Sequence, residues 1–204
     1  MSRKYFKEAA DENNHAESQC RYAGSLLGEL TKETDEAAKD KLHKEILRYF
    51  ELAANNPENR NVDAMYYSGD IYVYGKLKVK RDVMCGLNYL RLAANLNNER
   101  AIALLKKLEN NEFIKHHISA EKGDSDGVYN VGRCYHYGIG TRKDEHEAFI
   151  YYQNAADMGN TMGTLNVGYC YQNGIGVEKD EHKAFIYYQK SADMGDADGT
   201  YNVG

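Results

Sequence analysis

The chain has one proline, Pro57, and no tryptophan in 204 residues. Prolines punctuate β-rich and loop-rich folds, so their near absence beside strong helix formers predicts an almost wholly helical chain. The four cysteines, Cys20, Cys85, Cys134 and Cys170, form no CxxC pair, which argues against a zinc knuckle or a thioredoxin-type centre. The opening Met-Ser-Arg-Lys-Tyr-Phe-Lys lacks the apolar stretch of a secretory signal, so reduced thiols and a cytoplasmic location are expected. No run approaches the roughly 18 uncharged apolar residues of a spanning helix, and no membrane span is expected. Net charge is −5 with no concentrated basic face, so nucleic acid is not an expected partner. Apolar residues at 42% and charged residues at 28% are those of a folded soluble chain.

What the chain does have is a repeat. Residues 127–162 and 163–198 align without a gap at a period of 36, identical at 23 positions. Asn130-Val131-Gly132 returns as Asn166-Val167-Gly168 and again as Asn202-Val203-Gly204, and Gly138-Ile139-Gly140 returns as Gly174-Ile175-Gly176. Each copy reads as two helices. The first runs from about Ser125 to Tyr137 and is closed by Gly138 in a left-handed conformation. The second is capped by Asp144, with Glu147 completing a capping box that Lys183 leaves incomplete after Asp180, and it runs to about Met158. Ala148, Tyr151, Tyr152, Ala155 and Ala156 form its packing stripe. Gly132 and Gly168 sit inside first helices, where glycine costs roughly 0.5–1 kcal/mol against alanine, so a neighbouring helix is expected to approach too closely for a side chain.

Weaker copies precede these. Ala64, Gly69, Tyr72, Gly75, Asp82, Tyr89, Ala93 and Ala94 follow the same order with one extra loop residue. The expected organisation is one continuous stack over 1–204. It comprises a half unit (2–14), units at about 16–57 and 62–97, a short unit (99–123) with helices Arg100–Leu108 and Glu112–Glu121, full units at 124–159 and 160–195, and a truncated unit (196–204). The fold class is all-α, a right-handed α-solenoid of stacked antiparallel helix pairs. With the chain stopping inside a unit, two readings stand: a piece of a longer array, or end-to-end self-association over Phe185, Tyr188 and Ala192.

The pattern Gly127, Val131, Gly132, Tyr135, Gly138, Gly140, Asp144, Ala148, Tyr151, Ala155, Ala156 and Gly159, repeated 36 residues later, resembles the Sel1-like repeats related to tetratricopeptide repeats. Glycine stands at Gly127 and Gly163 where that pattern has alanine, and tyrosine replaces its tryptophan. The resemblance implies a non-catalytic scaffold or adaptor that binds proteins, in signalling among other settings. Some secreted relatives are disulfide-stapled, with two cysteines per unit, and bind β-lactams. Each matched unit here has one cysteine, so a hydrolase or small-molecule binder in the groove is the weaker alternative, and an inert spacer a third.

The two matched copies differ on their first helices at Val128/Thr164, Tyr129/Leu165, Arg133/Tyr169, His136/Gln172 and Tyr137/Asn173. From residue 129 these positions lie at i, i+4, i+7 and i+8, one helical face, which in stacked pairs lines the concave groove. The equivalents in the earlier copy are Asp63, Tyr66, Asp70, Val73 and Tyr74. Tyrosine and arginine anchor many interfaces, and an extended peptide or partner loop is expected on this face. A solvated face drifting freely between copies would vary in the same way. No catalytic residue, metal site or cofactor is expected. Cys134 and Cys170 read as buried apolar thiols, His116 and His117 diverge by about 100°, His146 and His182 sit at exposed helix starts, and HExxH, Walker and GxSxG patterns are missing. Lys76, Lys78, Lys80 and Arg81 read as a small solubilising basic loop.

Overall fold

The structure, a computed structural model, describes residues 3–12 and 14–203, with the backbone alone for Arg3. Ser2, Asn13 and Gly204 of the expected terminal units lie outside the described residues. Among the described residues helix accounts for 74% and no strand occurs, so the fold is the expected all-α stack of helix pairs.

Two compact units divide the chain, Met1–Leu108 and Glu109–Gly204. The first holds α1 (Arg3–Glu12), α2 (Ala16–Leu30), α3 (Glu36–Ala54), α4 (Val62–Tyr74), α5 (Val83–Asn95) and α6 (Glu99–Leu108). The second holds α7 (Glu112–Glu121), α8 (Ser125–Tyr137), α9 (Glu145–Asp157), α10 (Thr161–Asn173), α11 (Glu181–Asp193) and α12 (Ala197–Val203). The unit boundary falls inside the short repeat expected at 99–123, assigning α6 to one unit and α7 to the other. Within each unit every helix packs on the next in sequence.

The punctuation behaves as its chemistry demands. Gly138 and Gly174 end α8 and α10 at φ 74° and 70°, and the following N–H groups of Ile139 and Ile175 reach back to the carbonyls of Cys134 and Cys170 at 2.9 and 3.0 Å. Asp144 and Asp180 cap the next helices by accepting from the N–H groups of Glu147 and Lys183. The Asp144 N–H donates to the Tyr135 carbonyl at 2.9 Å. Asp180 does the same to Tyr171, and Asp82 to Tyr72 at 3.1 Å. The extra residue in the earlier loop is absorbed by Leu77 and Lys78, both left-handed. That loop is not simply solvated: Lys78 pairs with Asp40 and Glu36 of α3, and Arg81 donates to the Val73 carbonyl at 2.7 Å.

The glycines inside first helices answer a steric demand. A Cβ on Gly132 would stand 2.8 Å from Cδ1 of Tyr152, and one on Gly168 2.8 Å from Cδ1 of Tyr188. On the opposite flank of the same helices, a Cβ on Gly127 would lie 2.6 Å from the Ala120 nitrogen, and one on Gly163 2.8 Å from Cβ of Ala155. Those contacts account for glycine where alanine was expected. Tyr152 and Tyr188 are 1% and 3% exposed. Around Tyr152 cluster Ala148, Ala156, Val167 and Cys170, so one ring fastens α9 to α10 as well as to α8. A second tyrosine contact recurs in three pairs: Tyr72 stacks on Tyr89, Tyr135 on Tyr151 and Tyr171 on Tyr187. At the end of the second unit Tyr188, named above in the self-association reading, is 3% exposed and so already buried within the chain, while Phe185 and Ile186 on α11 stay 49% exposed.

Successive first helices are also clasped. Asn160 accepts from the Gly163 N–H at 2.8 Å to cap α10, and its amide donates to Asp126 of α8 at 2.7 Å. Asn98, ahead of α6, donates to Asp63 of α4 at 3.0 Å, and Asn61, ahead of α4, to Glu17 of α2 at 2.7 Å. Where the capping residue is an acid, Asp196, the position matching Asp126 is Met162, so no two carboxylates meet. Asn160→Ala should cost about 0.5–2 kcal/mol for the cap, with the clasp lost in addition. Asn160→Asp should keep the cap yet remain less stable than wild type, because the clasp becomes a carboxylate pair. Gly132→Ala should destabilise by about 1–3 kcal/mol through overpacking on Tyr152. Urea titrations read all three, and an unchanged midpoint for Gly132→Ala would contradict the close approach.

Candidate partner-binding face

In the second unit, the variable positions of α8 and α10 gather into two groups. The Arg133 guanidinium lies 6.0 Å from the Tyr129 ring and donates to Asn130 Oδ1 at 3.4 Å. Tyr129 itself leans on Tyr152, with centroids 5.8 Å apart. The His136 ring sits 4.5 Å from Tyr137 and 6.5 Å from Tyr169, joining α8 to α10. Tyr137 is 64% and Tyr169 44% exposed, and Arg133 is exposed, whereas Tyr129, His136 and Leu165 are half-buried. Gln172 and Asn173 are exposed but engaged: Gln172 accepts from the Tyr188 hydroxyl at 2.8 Å, and Asn173 donates to the Tyr169 carbonyl.

Variation does not always mean exposure. Val128 and Thr164 differ between the copies yet are 8% and 0% exposed, so they belong to the core. In the first unit Val73 is fully buried and forms no part of a surface. The other earlier equivalents have partners within the chain. The Arg100 guanidinium of α6 covers Tyr66 at 4.3 Å, Lys76 pairs with Asp70 and lies 5.3 Å from the Tyr74 ring, and Asp63 takes the Asn98 amide. Tyr74 keeps 40% of its surface exposed beside Lys76, close to Tyr169 and less than Tyr137 of the second unit.

Two features of this face escaped the sequence reading. Tyr201 of α12, the counterpart of Tyr129 and Leu165, is 84% exposed. Asn130, Asn166 and Asn202 each donate their side-chain amide to the carbonyl four residues back, at 2.8, 2.8 and 2.7 Å. Their identity across all three copies was the available signal, since half-exposed or exposed positions outside the packing stripe have no steric reason to repeat.

The face has little equipment for chemistry. Cys134 and Cys170 are free and buried; burial raises both thiols, Cys170 to about 12, which leaves no ready thiolate. Burial, then the Lys143 charge, lowers His136 from its ordinary 6.5, and its buried Nδ1 has no hydrogen-bond partner. His146 at the exposed start of α9 contacts the Gly176 carbonyl at 3.1 Å. Among the described residues no group of three His, Cys, Asp or Glu could hold a metal ion, and no helix is long and apolar enough to cross a membrane.

Helix pairs of fixed length, closed by glycine and stacked in sequence order, define a helical-repeat protein of the solenoid class. The Sel1 repeat pattern matches residues 1–14, 62–98, 125–160 and 162–196, more than half of the chain, and the protein belongs to the Sel1 repeat family. Sel1 repeat proteins generally mediate protein–protein interaction. Similar solved structures include a protective antigen present in uropathogenic Escherichia coli strains that displays an SLR fold. It is 24% identical with a TM-score of 0.43, and the match covers 98% of this chain and 43% of that one. A Sel1 repeat protein from Oxalobacter formigenes is 24% identical with a TM-score of 0.41, covering 77% and 96% of the two chains. The Helicobacter pylori cysteine rich protein B is 20% identical with a TM-score of 0.37, covering 79% and 94%. No curated protein matches the sequence.

The repeat supplies its own control for the buried histidine. His136→Gln gives Tyr152 the acceptor that Gln172 gives Tyr188, and should stabilise by about 0.5–1.5 kcal/mol at neutral pH. Folded His136 titrates below unfolded His136, so as pH falls below about 6.5 the unfolded state binds more protons and the wild type loses stability. The variant should lose less than wild type between about pH 7 and pH 5. Denaturant midpoints measured across that range check both statements.

Proposed function

We propose that the protein is a non-catalytic adaptor of the cytoplasm, whose second unit holds a partner protein or peptide on the first-helix face of α8 and α10. The observation that carries this reading is where the first helices of two near-identical repeats differ: four of the five changes between 127 and 137, at 129, 133, 136 and 137, lie on one helical face. The glycine–tyrosine contacts that set helix spacing are retained in both copies, while Tyr129, Arg133, Tyr137 and Tyr169 have different residues at their matching positions. Two tyrosines left largely in water and an arginine beside them are the residue types that anchor interfaces, because their rings bury large areas for few frozen torsions. Retained packing residues hold the scaffold constant, and the changed ones let neighbouring repeats contact different parts of one ligand. Tyr66, Asp70 and Tyr74 of the first unit contact Arg100 and Lys76 within their own unit. Leu165, His136, Gln172 and Asn173 complete the face, and neither a nucleic acid nor a cofactor takes part.

The test replaces Tyr129, Arg133 and Tyr169 together with alanine. Partners identified by mass spectrometry after affinity capture on the wild type should be absent from the variant, with helical circular dichroism and thermal midpoint retained. Full capture by a folded variant would move the site off this face.

A further inference from the structure

In the first unit, the outward stripes of α3 and α5 carry groups that the stack does not use. Leu52-Ala53-Ala54-Asn55 stands at the end of α3, and the same four residues return as Leu92-Ala93-Ala94-Asn95 on α5. Ala53 and Ala93 are fully buried, which accounts for their return. Leu52 and Leu92 are 39% and 44% exposed, and Leu96, one turn on, is 54% exposed, so burial within the chain does not account for theirs. The positions matching Leu52 and Leu92 in the second unit are polar, Asn154 on α9 and Lys190 on α11. Asn55, one turn beyond Leu52, donates to the hydroxyl of Tyr89, one turn before Leu92, at 2.7 Å, which sets the two stripes on neighbouring helices. The charges beside the leucines are of one sign. Each of the four carboxylates of α3 is held inside the unit: Glu36 and Asp40 by Lys78, Glu45 by the Tyr22 hydroxyl and Glu51 by the Tyr72 hydroxyl. Lys41, Lys44 and Arg48 lie at i, i+3 and i+7 of the stripe that ends in Leu52, and all three are exposed. Arg91, also exposed, is the one charged residue of α5. None of these four cations forms an ion pair among the described residues.

We infer that this surface docks an acidic amphipathic helix of a partner protein, which sets apolar side chains on Leu52, Leu92 and Leu96 and a row of carboxylates along the four cations. The unbalanced positive charge selects the sign of the partner. A helix is the fitting shape because the surface is made of the side chains of two helices, whose own backbone groups are already used. An extended segment would find no partners here for its N–H and C=O groups, whereas a helix pairs its own. Apolar residues at i and i+4 of the incoming helix match the spacing of Leu92 and Leu96. A bilayer is the poorer fit: three leucines already about half covered offer less apolar surface than one acyl chain, and a single acyl chain anchors a protein only marginally. The surface belongs to the first unit and does not depend on the α8 and α10 face of the second.

A phage library of amphipathic helices about five turns long tests it, with leucine fixed along one stripe and the remaining positions drawn from Asp, Glu, Lys, Gln and Ala. Panned against the full chain, the enriched helices should be rich in Asp and Glu and lose affinity as ionic strength rises. Leu52→Lys with Leu92→Asn, which installs the kinds of residue the second unit carries there, should weaken binding about tenfold or more. Lys44→Glu with Arg48→Glu should do the same through charge alone. Both double variants change exposed positions and should keep their helical circular dichroism. Hydrogen exchange with the best helix should show protection on α3 and α5. The triple alanine variant at Tyr129, Arg133 and Tyr169 should bind that helix as wild type does, which separates this surface from the face proposed above. Enrichment of neutral or basic helices or of none, undiminished binding to both double variants, or protection confined to other helices would overturn the inference. Sedimentation of the wild type with vesicles of phosphatidylserine and phosphatidylcholine in equal parts, lost in both double variants, would overturn it in favour of a membrane surface.

Discussion

Each helix pair in the second unit depends on a side chain that is not there. A single methyl on Gly132 would meet the Tyr152 ring, and Gly168 stands in the same relation to Tyr188. Glycine inside a helix costs roughly 0.5–1 kcal/mol. Burying a tyrosine ring removes on the order of 150–250 Å² from water, worth several kcal/mol at about 25 cal/mol per Å². The exchange favours glycine, and the ring that profits also grips the following helix through Val167 and Cys170. The first unit solves the same problem with different residues: Gly69 faces Leu90, and Gly86 faces Val73. Helix spacing is therefore set by close backbone approach.

Much of the fold was legible because its markers are local. Glycine closes a helix within two residues of itself and aspartate opens one within three, so α8 runs over Ser125–Tyr137 as the pattern predicted, and α6 begins one residue earlier than predicted. What stayed hidden is non-local. The asparagine clasps join residues 34–44 apart and leave no local trace. Their one trace in the sequence is the pairing of Asn160 with Asp126 against Asp196 with Met162. The partner of Lys78 lies 38 residues away in α3, so a loop that reads as solvated is tied down. The division after Leu108 likewise depends on contacts rather than composition.

The positions that vary between copies mix buried and exposed side chains for a physical reason. Adjacent helical residues diverge by about 100°, so a comparison of copies mixes positions at the border of the core with positions in water. Val128, Thr164 and Val73 fall on the core side of that border, and Tyr137 and Tyr169 on the other. Covered equivalents in the first unit sharpen the contrast, since Arg100 and Lys76 there spend on internal rings and carboxylates what the second unit leaves open.

The hydrogen bond from each capping aspartate back to the tyrosine of the preceding helix has a consequence for how such chains diversify. Asp82 makes it across a connection one residue longer than those closed by Asp144 and Asp180. The anchor sits at the loop's far end, so the second helix starts from the same place whatever the length of chain in between. Insertions between the glycine stop and the aspartate are thereby insulated from the stack, leaving that edge of the molecule open to evolutionary elaboration at little thermodynamic risk.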